Sequence, residues 1–245
     1  MPKSLRIIAH RGYCELYPEN TLPALLAALD AGADAVEFDV QLSRDGVPMV
    51  FHDPTLNRTT GRSGAIVEYS AKELGKISAH EPARLGERYA GTPIPTLAAV
   101  AQGLAAHSGP VFVELKQDTI PHHAITQAVA AVLEACAPLG ERAVLISFDS
   151  AIIQVARSVG KRRIGWVVPD WNAACRDRLE TLKPDFAFVA AELLPPSLAP
   201  LWPGPWEWAA YEVNDWQEAS DLARRGVGWI ETRAVAAMVA ARDRA

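Results

Sequence analysis

A chain of 245 residues, 49% of them hydrophobic, can bury a large core, and its length suits either two small domains or one α/β barrel. A formal net charge of −5 lacks the basic balance of a nucleic-acid-binding protein. Three widely spaced cysteines fit a reducing compartment, and neither a signal peptide nor a bilayer-spanning apolar run is predicted. We therefore expect a cytoplasmic protein with no nucleic-acid partner and no stable membrane insertion.

Strand-like and helix-like segments alternate along most of the chain. The strand-like segments are short and apolar: Arg6–Ala9, Ala35–Val40, Val47–His52, Val111–Lys116, Ala143–Phe148, Ile164–Val168, Phe186–Ala190, Trp208–Val213 and Gly228–Thr232. The helix-like segments are amphipathic: Thr21–Ala31, Pro121–Cys136, Ser150–Val159, Ala173–Leu182, Asp215–Arg225 and Arg233–Arg242. Repeated strand–helix units predict a parallel sheet.

The nine strand-like segments are one more than a closed (β/α)8, or TIM, barrel needs. A turn signal at Asp45-Gly46 resolves the difference, because it predicts that the segment after it folds back antiparallel on the preceding strand. This hairpin would bring His52 level with Glu37 and Asp39. The competing architecture is a doubly wound open sheet, which would need a glycine-rich phosphate loop after the first strand.

We therefore predict an α/β protein with a single TIM-barrel domain over residues 1–245. A polar, turn-rich stretch over residues 53–95 interrupts the strand–helix alternation. It is too long for an ordinary connection, so we expect a small insertion after the hairpin that carries function or forms a subdomain.

Carboxylates interrupt two of the apolar strands. Glu37 and Asp39 lie two residues apart and project from one strand face, and Glu114 and Lys116 repeat this pattern. A structural salt bridge explains either strand taken alone. Together with His10, which follows the first strand, the pattern favours a site, since catalytic residues of a barrel come from the carboxyl ends of several strands.

Three carboxylates form a hard, oxygen-rich set that suits Mg²⁺ or Ca²⁺ better than a closed zinc site. Arg11 and Lys116 are positive charges that suit an anionic substrate. His10 and His52 can transfer protons near neutral pH. Such a set suits phosphoryl transfer, in which one histidine activates the nucleophile and the other protonates the leaving alkoxide.

An ordered series of short motifs covers nearly the whole chain: His10-Arg11-Gly12, Pro18–Thr21, Gly32–Val40, Asp45-Gly46, His52-Asp53, Arg58–Gly61, Ile94–Leu97, Val113–Lys116, Ser147-Phe148 and Val213–Asp215. Each motif alone is a weak signal. In this order they resemble the glycerophosphodiester phosphodiesterase family, which is related to phosphatidylinositol-specific phospholipases C.

The resemblance implies hydrolysis of glycerophosphodiesters to sn-glycerol 3-phosphate and an alcohol, through attack by the glycerol 2-hydroxyl and a cyclic phosphate. It implies one divalent cation, Mg²⁺ or Ca²⁺, on Glu37, Asp39 and Glu114. His10 and His52 would be the acid/base pair. Five substrate-binding residues are implied. Arg11 and Lys116 would contact the phosphate, and Glu19 and Asn20 would support the site near His10. Tyr211 would form an aromatic wall.

Two places depart from the family pattern. The family has Trp-Thr before its Val-Asn pair, where this chain has Tyr211-Glu212. The family often ends its last strand Thr-Asp-x-Pro, where this chain has Thr232-Arg233-Ala234-Val235. The second departure bears on the substrate end of the pocket, or on how the last strand joins its helix.

Two other functions are weighed against this one. A related barrel phospholipase acting on lipid phosphodiesters would need exposed apolar loops or a membrane-facing helix, for which Pro195–Trp208 is the candidate segment. A barrel that binds a phosphorylated metabolite without catalysis is disfavoured, because all the proposed histidines and carboxylates are present. The sequence leaves open the head group, the working cation and the oligomeric state, with a homodimer as one alternative.

Overall fold

The computed structural model describes residues 5–121, 124–160, 162–196 and 200–245. Its strands are β1 (Arg6–His10), β2 (Ala35–Leu42), β3 (Pro48–Val50), β4 (Val111–Leu115), β5 (Ala143–Ser147), β6 (Ile164–Val168), β7 (Phe186–Ala190), β8 (Glu207–Tyr211) and β9 (Val227–Thr232). Its α-helices are α1 (Leu22–Asp30), α2 (Asn57–Thr60), α3 (Ala71–Leu74), α4 (Pro82–Leu85), α5 (Leu97–Gly103), α6 (Ile125–Ala135), α7 (Ser150–Val159), α8 (Ala173–Leu182), α9 (Trp216–Arg224) and α10 (Val235–Arg242).

The parallel strands close into a barrel. Parallel ladders join β1 to β2, β2 to β4, and each later strand to the next as far as β9. A parallel ladder between β9 and β1 completes the circle. The predicted TIM barrel is therefore confirmed, and the open-sheet alternative is excluded because β1 is paired on both edges.

The ninth strand forms the predicted hairpin. β3 runs antiparallel to β2, with Val50 opposite Val40. It is shorter than the predicted Val47–His52, although the amide of Phe51 still donates to the carbonyl of Asp39 (2.9 Å). The Gln41 side chain then donates to the carbonyl of His52 (2.9 Å), which holds His52 beside β2.

The barrel interior has an aromatic layer beneath a charged one. Phe112 lies at the centre of the aromatic layer, with its ring centroid 5.1 Å from those of Phe186 and Phe188 and 5.8 Å from that of Trp229, in edge-on contacts. The charged layer consists of the buried carboxylates of β2, β4 and β9, which lie nearer the carboxyl ends of these three strands on the same interior face. The larger apolar core lies between the outer faces of the strands and the surrounding helices.

Residues 53–95 surround a second, smaller apolar cluster. They contain α2, α3, α4 and the 3-10 turn Ile66–Glu68. The buried members of the cluster come from β3, from the residue that follows it and from this stretch: Met49, Phe51, Leu56, Ile66, Leu74, Ile77, Ala79 and Ile94. The segment that follows His52 therefore packs around its own core beside the hairpin.

Three sequence predictions differ in detail from the structure. Helix α5 is missing from the prediction because it spans only seven residues and directly follows the polar, turn-rich stretch; the Oγ1 atom of Thr96 caps it by accepting from the amide of Ala99 (3.2 Å). Strand β8 ends at Tyr211, two residues before its predicted end. The helix predicted from Pro121 begins at Ile125, and residues 122 and 123 lie outside the described part. Across the described ranges, every helix is too short or too polar to cross a bilayer.

Candidate active site

Three carboxylates meet at the carboxyl ends of β2 and β4. Parallel register places Asp39 directly beside Glu114, and Glu37 lies one interior position below Asp39. All three residues are buried, and one oxygen atom from each lies within 4.8 Å of the others. The structure therefore brings together the three residues that the resemblance assigns to a cation.

The two carboxylates of β2 are held from the β1–α1 loop. The main-chain amide of Arg11 donates to Glu37 Oε2 (3.2 Å), and Asn20 Nδ2 donates to Asp39 Oδ2 (2.8 Å). The amide of Asp39 in turn donates to Asn20 Oδ1 (3.1 Å). These contacts orient both carboxylates from the side away from the remaining oxygens of the cluster.

Lys116 supplies positive charge to the cluster. Its Nζ atom lies 2.9 Å from Asp39 Oδ1 and 2.5 Å from Glu114 Oε1. The Oε1 atom of Glu37 has neither a hydrogen bond nor an ion pair among the described residues. An unsatisfied buried carboxylate oxygen within an all-oxygen donor set fits a hard divalent cation.

The three buried carboxylates differ in their pKa values because their charged neighbours differ. Burial raises the pKa of Glu37 well above its usual value, with repulsion from Asp39 acting in the same direction. Burial and the charge of Asp39 also raise the pKa of Glu114, to about 7. Asp39 is equally buried, but Lys116 and Arg11 hold its pKa below the usual range. The cluster thus holds three negative charges poorly without further positive charge, which again suits a cation.

Backbone geometry places Arg11 at the edge of this cluster. Arg11 and Gly12 both have positive φ angles, of 59° and 82°. A Cβ atom on Gly12 would lie 2.7 Å from the carbonyl carbon of Ala24 in α1, so only glycine fits this turn. The Arg11 guanidinium is buried between Glu19 (Nη1–Oε1 3.0 Å) and Asp39 (Nε–Oδ2 3.1 Å).

His52 is oriented by an acidic neighbour. Its Nδ1 atom lies 2.6 Å from Asp53 Oδ1. Because an ionised carboxylate can only accept, this contact favours the neutral tautomer with the proton on Nδ1, in which Nε2 is the acceptor. Arg58 holds Asp53 through two bonds of 2.8 Å, from Nε and Nη2, and also donates to Glu19.

His10 has carboxylates on both sides of its ring. Its Nδ1 atom lies 2.8 Å from Glu212 Oε2, and its Nε2 atom lies 3.6 Å from Glu231 Oε1. Burial lowers the pKa of His10, and the bond to Glu212 opposes this effect. Burial and the charge of Glu114 raise the pKa of Glu231 to about 8.

Sequence reasoning missed Glu231 and the contact role of Glu212. Glu231 follows Trp229 on the interior face of β9, which is the same carboxylate-in-an-apolar-strand signal that identified Glu37. Glu212 carried no such signal, because it lies beyond the end of β8 and its partner is 202 positions away.

A cavity of about 500 Å³ opens above the cluster. Six of the predicted site residues line it: His10, Arg11, His52, Glu114, Lys116 and Tyr211. Phe148 and Phe188 add apolar side chains to its lining. Glu37 and Asp39 lie below the cavity floor. Glu19 contacts Arg11 and Asn20 contacts Asp39 from behind, and neither Glu19 nor Asn20 lines the cavity. Direct contact between these last two residues and a substrate stays a prediction.

A closed parallel barrel with a carboxylate cluster and two histidines at the carboxyl ends of its strands has the layout of a TIM-barrel enzyme. The family described as the glycerophosphoryl diester phosphodiesterase family matches residues 10–193, well over half of the sequence. The chain belongs to this family.

Individual relatives agree with this assignment. The chain is 31% identical over 194 residues to a glycerophosphodiester phosphodiesterase of Caldanaerobacter subterraneus subsp. tengcongensis, a match that covers 77% of this chain and 79% of the relative. It is 37% identical over 130 residues to one from Bacillus altitudinis, across 53% and 52% of the two chains. A solved Oleispira antarctica phosphodiesterase in complex with the product sn-glycerol-3-phosphate superposes with a TM-score of 0.84 at 26% identity, covering 97% of this chain and 96% of that one.

Proposed function

We propose that this chain hydrolyses glycerophosphodiesters to sn-glycerol 3-phosphate and an alcohol. The observation that carries the proposal is that both histidines line one cavity at the carboxyl end of the barrel together with Glu114, which belongs to the carboxylate cluster beneath it. Family membership supports the type of bond cleaved. The product complex of the Oleispira relative supports glycerol phosphate as the part of the substrate that stays next to the site.

Glu37, Asp39 and Glu114 would hold one divalent cation, either Mg²⁺ or Ca²⁺. When bound, such an ion neutralises charge on phosphoryl oxygens and lowers the pKa of a hydroxyl that it contacts. Arg11 and Lys116 line the same cavity, so their positive charges would bind the phosphate. Tyr211 would form part of the wall against the substrate, and Glu19 and Asn20 would support Arg11 and Asp39 from behind.

The two histidines would move the protons. One takes the proton of the glycerol 2-hydroxyl as that oxygen bonds to phosphorus, and the bond from phosphorus to the head-group oxygen breaks. The other histidine gives its proton to the departing alkoxide. Water then opens the cyclic phosphate with the two roles reversed. The carboxylate on each Nδ1 atom supports this scheme, because it leaves Nε2 as the atom that exchanges protons.

The direct test is release of sn-glycerol 3-phosphate from glycerophosphocholine by the purified full chain, with EDTA and with Mg²⁺ or Ca²⁺ added back. Turnover that EDTA removes and a cation restores is the expected result. A His52→Ala preparation run in parallel excludes a contaminating enzyme. No turnover with either cation would refute the proposed activity and favour a barrel that only binds phosphorylated metabolites.

Three further assignments remain proposals: one domain over residues 1–245, a cytoplasmic location, and a small-molecule substrate in preference to a lipid. The large apolar side chains that are most exposed among the described residues fall in separate segments: Leu16, Leu26, Val67 and Val159. Residues 197–199 of the membrane-facing candidate Pro195–Trp208 lie outside the described part. Co-sedimentation with phosphatidylcholine vesicles separates the two substrate classes, since a lipid-directed enzyme would bind them.

A further inference from the structure

Glu212 occupies a defined position on the wall of the active-site cavity. Its Oε2 atom lies 2.8 Å from His10 Nδ1, on the ring edge opposite Nε2. The hydrogen bond to His10, the first of several causes, lowers the pKa of Glu212 to about 2, so the carboxylate is ionised at neutral pH. An ionised carboxylate accepts hydrogen bonds and cannot donate them, so it selects the ring tautomer with a proton on Nδ1.

Glu212 is itself held from the end of β9. Arg233 Nε donates to Glu212 Oε2 (2.9 Å). A side-chain hydrogen bond from Asn214 also lowers the pKa of Glu212. The Oδ1 atom of Asn214 is fixed in turn, since it accepts from Thr232 Oγ1 (2.8 Å) and from the amide of Arg233 (3.0 Å). The two loops that follow β8 and β9 thus form one hydrogen-bonded unit.

This unit repeats the arrangement around His52. There, Nδ1 contacts Asp53, and Arg58 holds Asp53 from the other side. Around His10, Nδ1 contacts Glu212, and Arg233 holds Glu212. Each histidine therefore has a carboxylate on Nδ1 and an arginine behind that carboxylate.

Glu212 and Arg233 are also the two charged residues at which this chain departs from the family pattern, which has Thr and Asp at these places. The departures are separated by 21 positions in sequence, yet they contact each other in the structure. Arg233 lines a second cavity, beside Cys14 and Arg84, and is not among the residues that line the cavity above the carboxylate cluster. This position argues against a direct contact between Arg233 and the substrate phosphate.

We propose that Glu212 is a positioning residue that fixes the tautomer and orientation of His10, and that Arg233 acts on His10 only through Glu212. The inference rests on the proposed function insofar as His10 transfers a proton in it. The tautomer itself does not depend on turnover, so the two claims can fail separately.

The first experiment reads the tautomer without using activity. The full chain is labelled with ¹⁵N-histidine, and long-range ¹H–¹⁵N correlation spectra are recorded at pH 8 with Mg²⁺. These spectra distinguish protonated from unprotonated ring nitrogens. The signals that disappear in His10→Ala are those of the His10 ring. Wild type should carry its proton on Nδ1 of His10. Glu212→Thr, which installs the family residue, should shift His10 to a mixture of tautomers and leave His52 unchanged.

Glu218→Gln is the matched control for charge. Glu218 lies on the same cavity wall, and no hydrogen bond or ion pair between it and His10 is found among the described residues. Its replacement removes one negative charge nearby and should leave the His10 tautomer as in wild type. A wild-type ring with its proton on Nε2, or a Glu212→Thr spectrum identical to wild type, would overturn the proposal.

The second experiment is a double-mutant cycle on glycerophosphocholine turnover. Glu212→Thr should lower kcat by roughly tenfold to a hundredfold with little change in KM, because a carboxylate that only orients a histidine acts in the transition state. Arg233→Gln should lower kcat less, and should have no further effect when Glu212→Thr is already present. If Arg233→Gln lowers kcat equally in both backgrounds, Arg233 acts independently of Glu212 and that half of the proposal is wrong.

The two failures are distinguishable. Wild-type protein without turnover would refute the proposed function, while the spectra would still test the tautomer. Normal wild-type turnover with an unchanged kcat in Glu212→Thr would refute the positioning role and leave the function intact.

Discussion

The surroundings of the two active-site histidines are built from different parts of the chain. His52 takes its carboxylate from the next residue, Asp53, and its arginine from five positions further on. His10 takes its carboxylate from 202 positions away, at the end of β8. The same chemical arrangement is therefore local in one case and depends on barrel closure in the other.

The two arrangements also differ in how firmly the carboxylate is held. Asp53 receives two bonds from Arg58, and its side chain is 20% exposed. Glu212 receives one bond from Arg233, and its side chain is 33% exposed. Since Glu212 has one bond from its arginine where Asp53 has two, and since it is more exposed and therefore more screened, the His10 side should tolerate change better than the His52 side.

The largest effect should come from removing either ring. His10→Ala and His52→Ala should each lower kcat by roughly 10²- to 10⁴-fold, the usual range for a lost acid/base group. Steady-state kinetics measures the rate, while circular dichroism and calorimetric Mg²⁺ titration check that fold and cation binding persist. A near-normal rate in one variant would remove that histidine from the mechanism, and only the other histidine would then be catalytic.

A change in the carboxylate cluster should weaken cation binding and therefore impair the reaction steps of both histidines equally. Glu114→Gln should weaken binding of Mg²⁺ or Ca²⁺ by about tenfold or more, because it removes one of three charged oxygen ligands. Calorimetric titration of the purified chain measures this affinity. Glu192→Gln, which removes a charge from the cavity wall instead, should retain wild-type affinity. Unchanged affinity in Glu114→Gln would exclude Glu114 as a ligand.

A matched pair of amide substitutions compares the two arrangements directly. Asp53→Asn should lower kcat by roughly a hundredfold and Glu212→Gln by roughly tenfold, because the better-held carboxylate does more to orient its histidine. Both variants keep the shape of the side chain and remove its charge. Equal losses would show that anchoring by arginine does not decide the contribution of the carboxylate.

The smallest effect concerns acid stability. The folded-state pKa of Glu212 lies near 2, below its ordinary value of 4.5, chiefly through its bond to His10. A depressed carboxylate pKa contributes stability that is present above pH 4.5 and is lost as the pH falls toward 2. Urea unfolding at pH 5, 4 and 3 should show a shallower decrease in the free energy of unfolding for Glu212→Gln than for wild type, by on the order of 1 kcal/mol after solvent screening.

An identical pH dependence in the two proteins would mean that Glu212 is not ion-paired in solution. The corresponding variant on the other side, Asp53→Asn, should also flatten the profile, because Arg58 and His52 lower the pKa of Asp53 against the opposing effect of burial.

The barrel could be predicted because strand-like and helix-like segments alternate along the chain. The carboxylates of β2 could be placed together because residues two apart in a strand project from the same face. Glu37 and Asp39 share a face whatever their neighbours are, and the Asp45-Gly46 turn signal sufficed to predict the hairpin. Tertiary contacts gave no such signal. Glu212 meets His10 only because β8, β9 and β1 are neighbours in the closed barrel, and no local pattern marks that contact.

The short elements were also hard to predict. Residues 57–85 contain three helices of four residues each, which are too short to be stable by helix propensity alone. Leu56, just before the first of them, and Leu74, in the second, belong to the small apolar cluster. From its sequence this stretch is described as polar and turn-rich, which is true of its composition. Its buried apolar residues are too few and too widely spaced in the sequence to predict that they form a core.

The turn after β1 makes part of the site insensitive to side-chain chemistry. Glu37 is oriented by the main-chain amide of Arg11, which no substitution at position 11 except proline removes. The position of that amide depends on Gly12, where even a methyl group would collide with the backbone of α1. The residue whose mutation would most readily displace a proposed metal ligand is thus one that has no side chain, and a screen limited to charged positions would not find it.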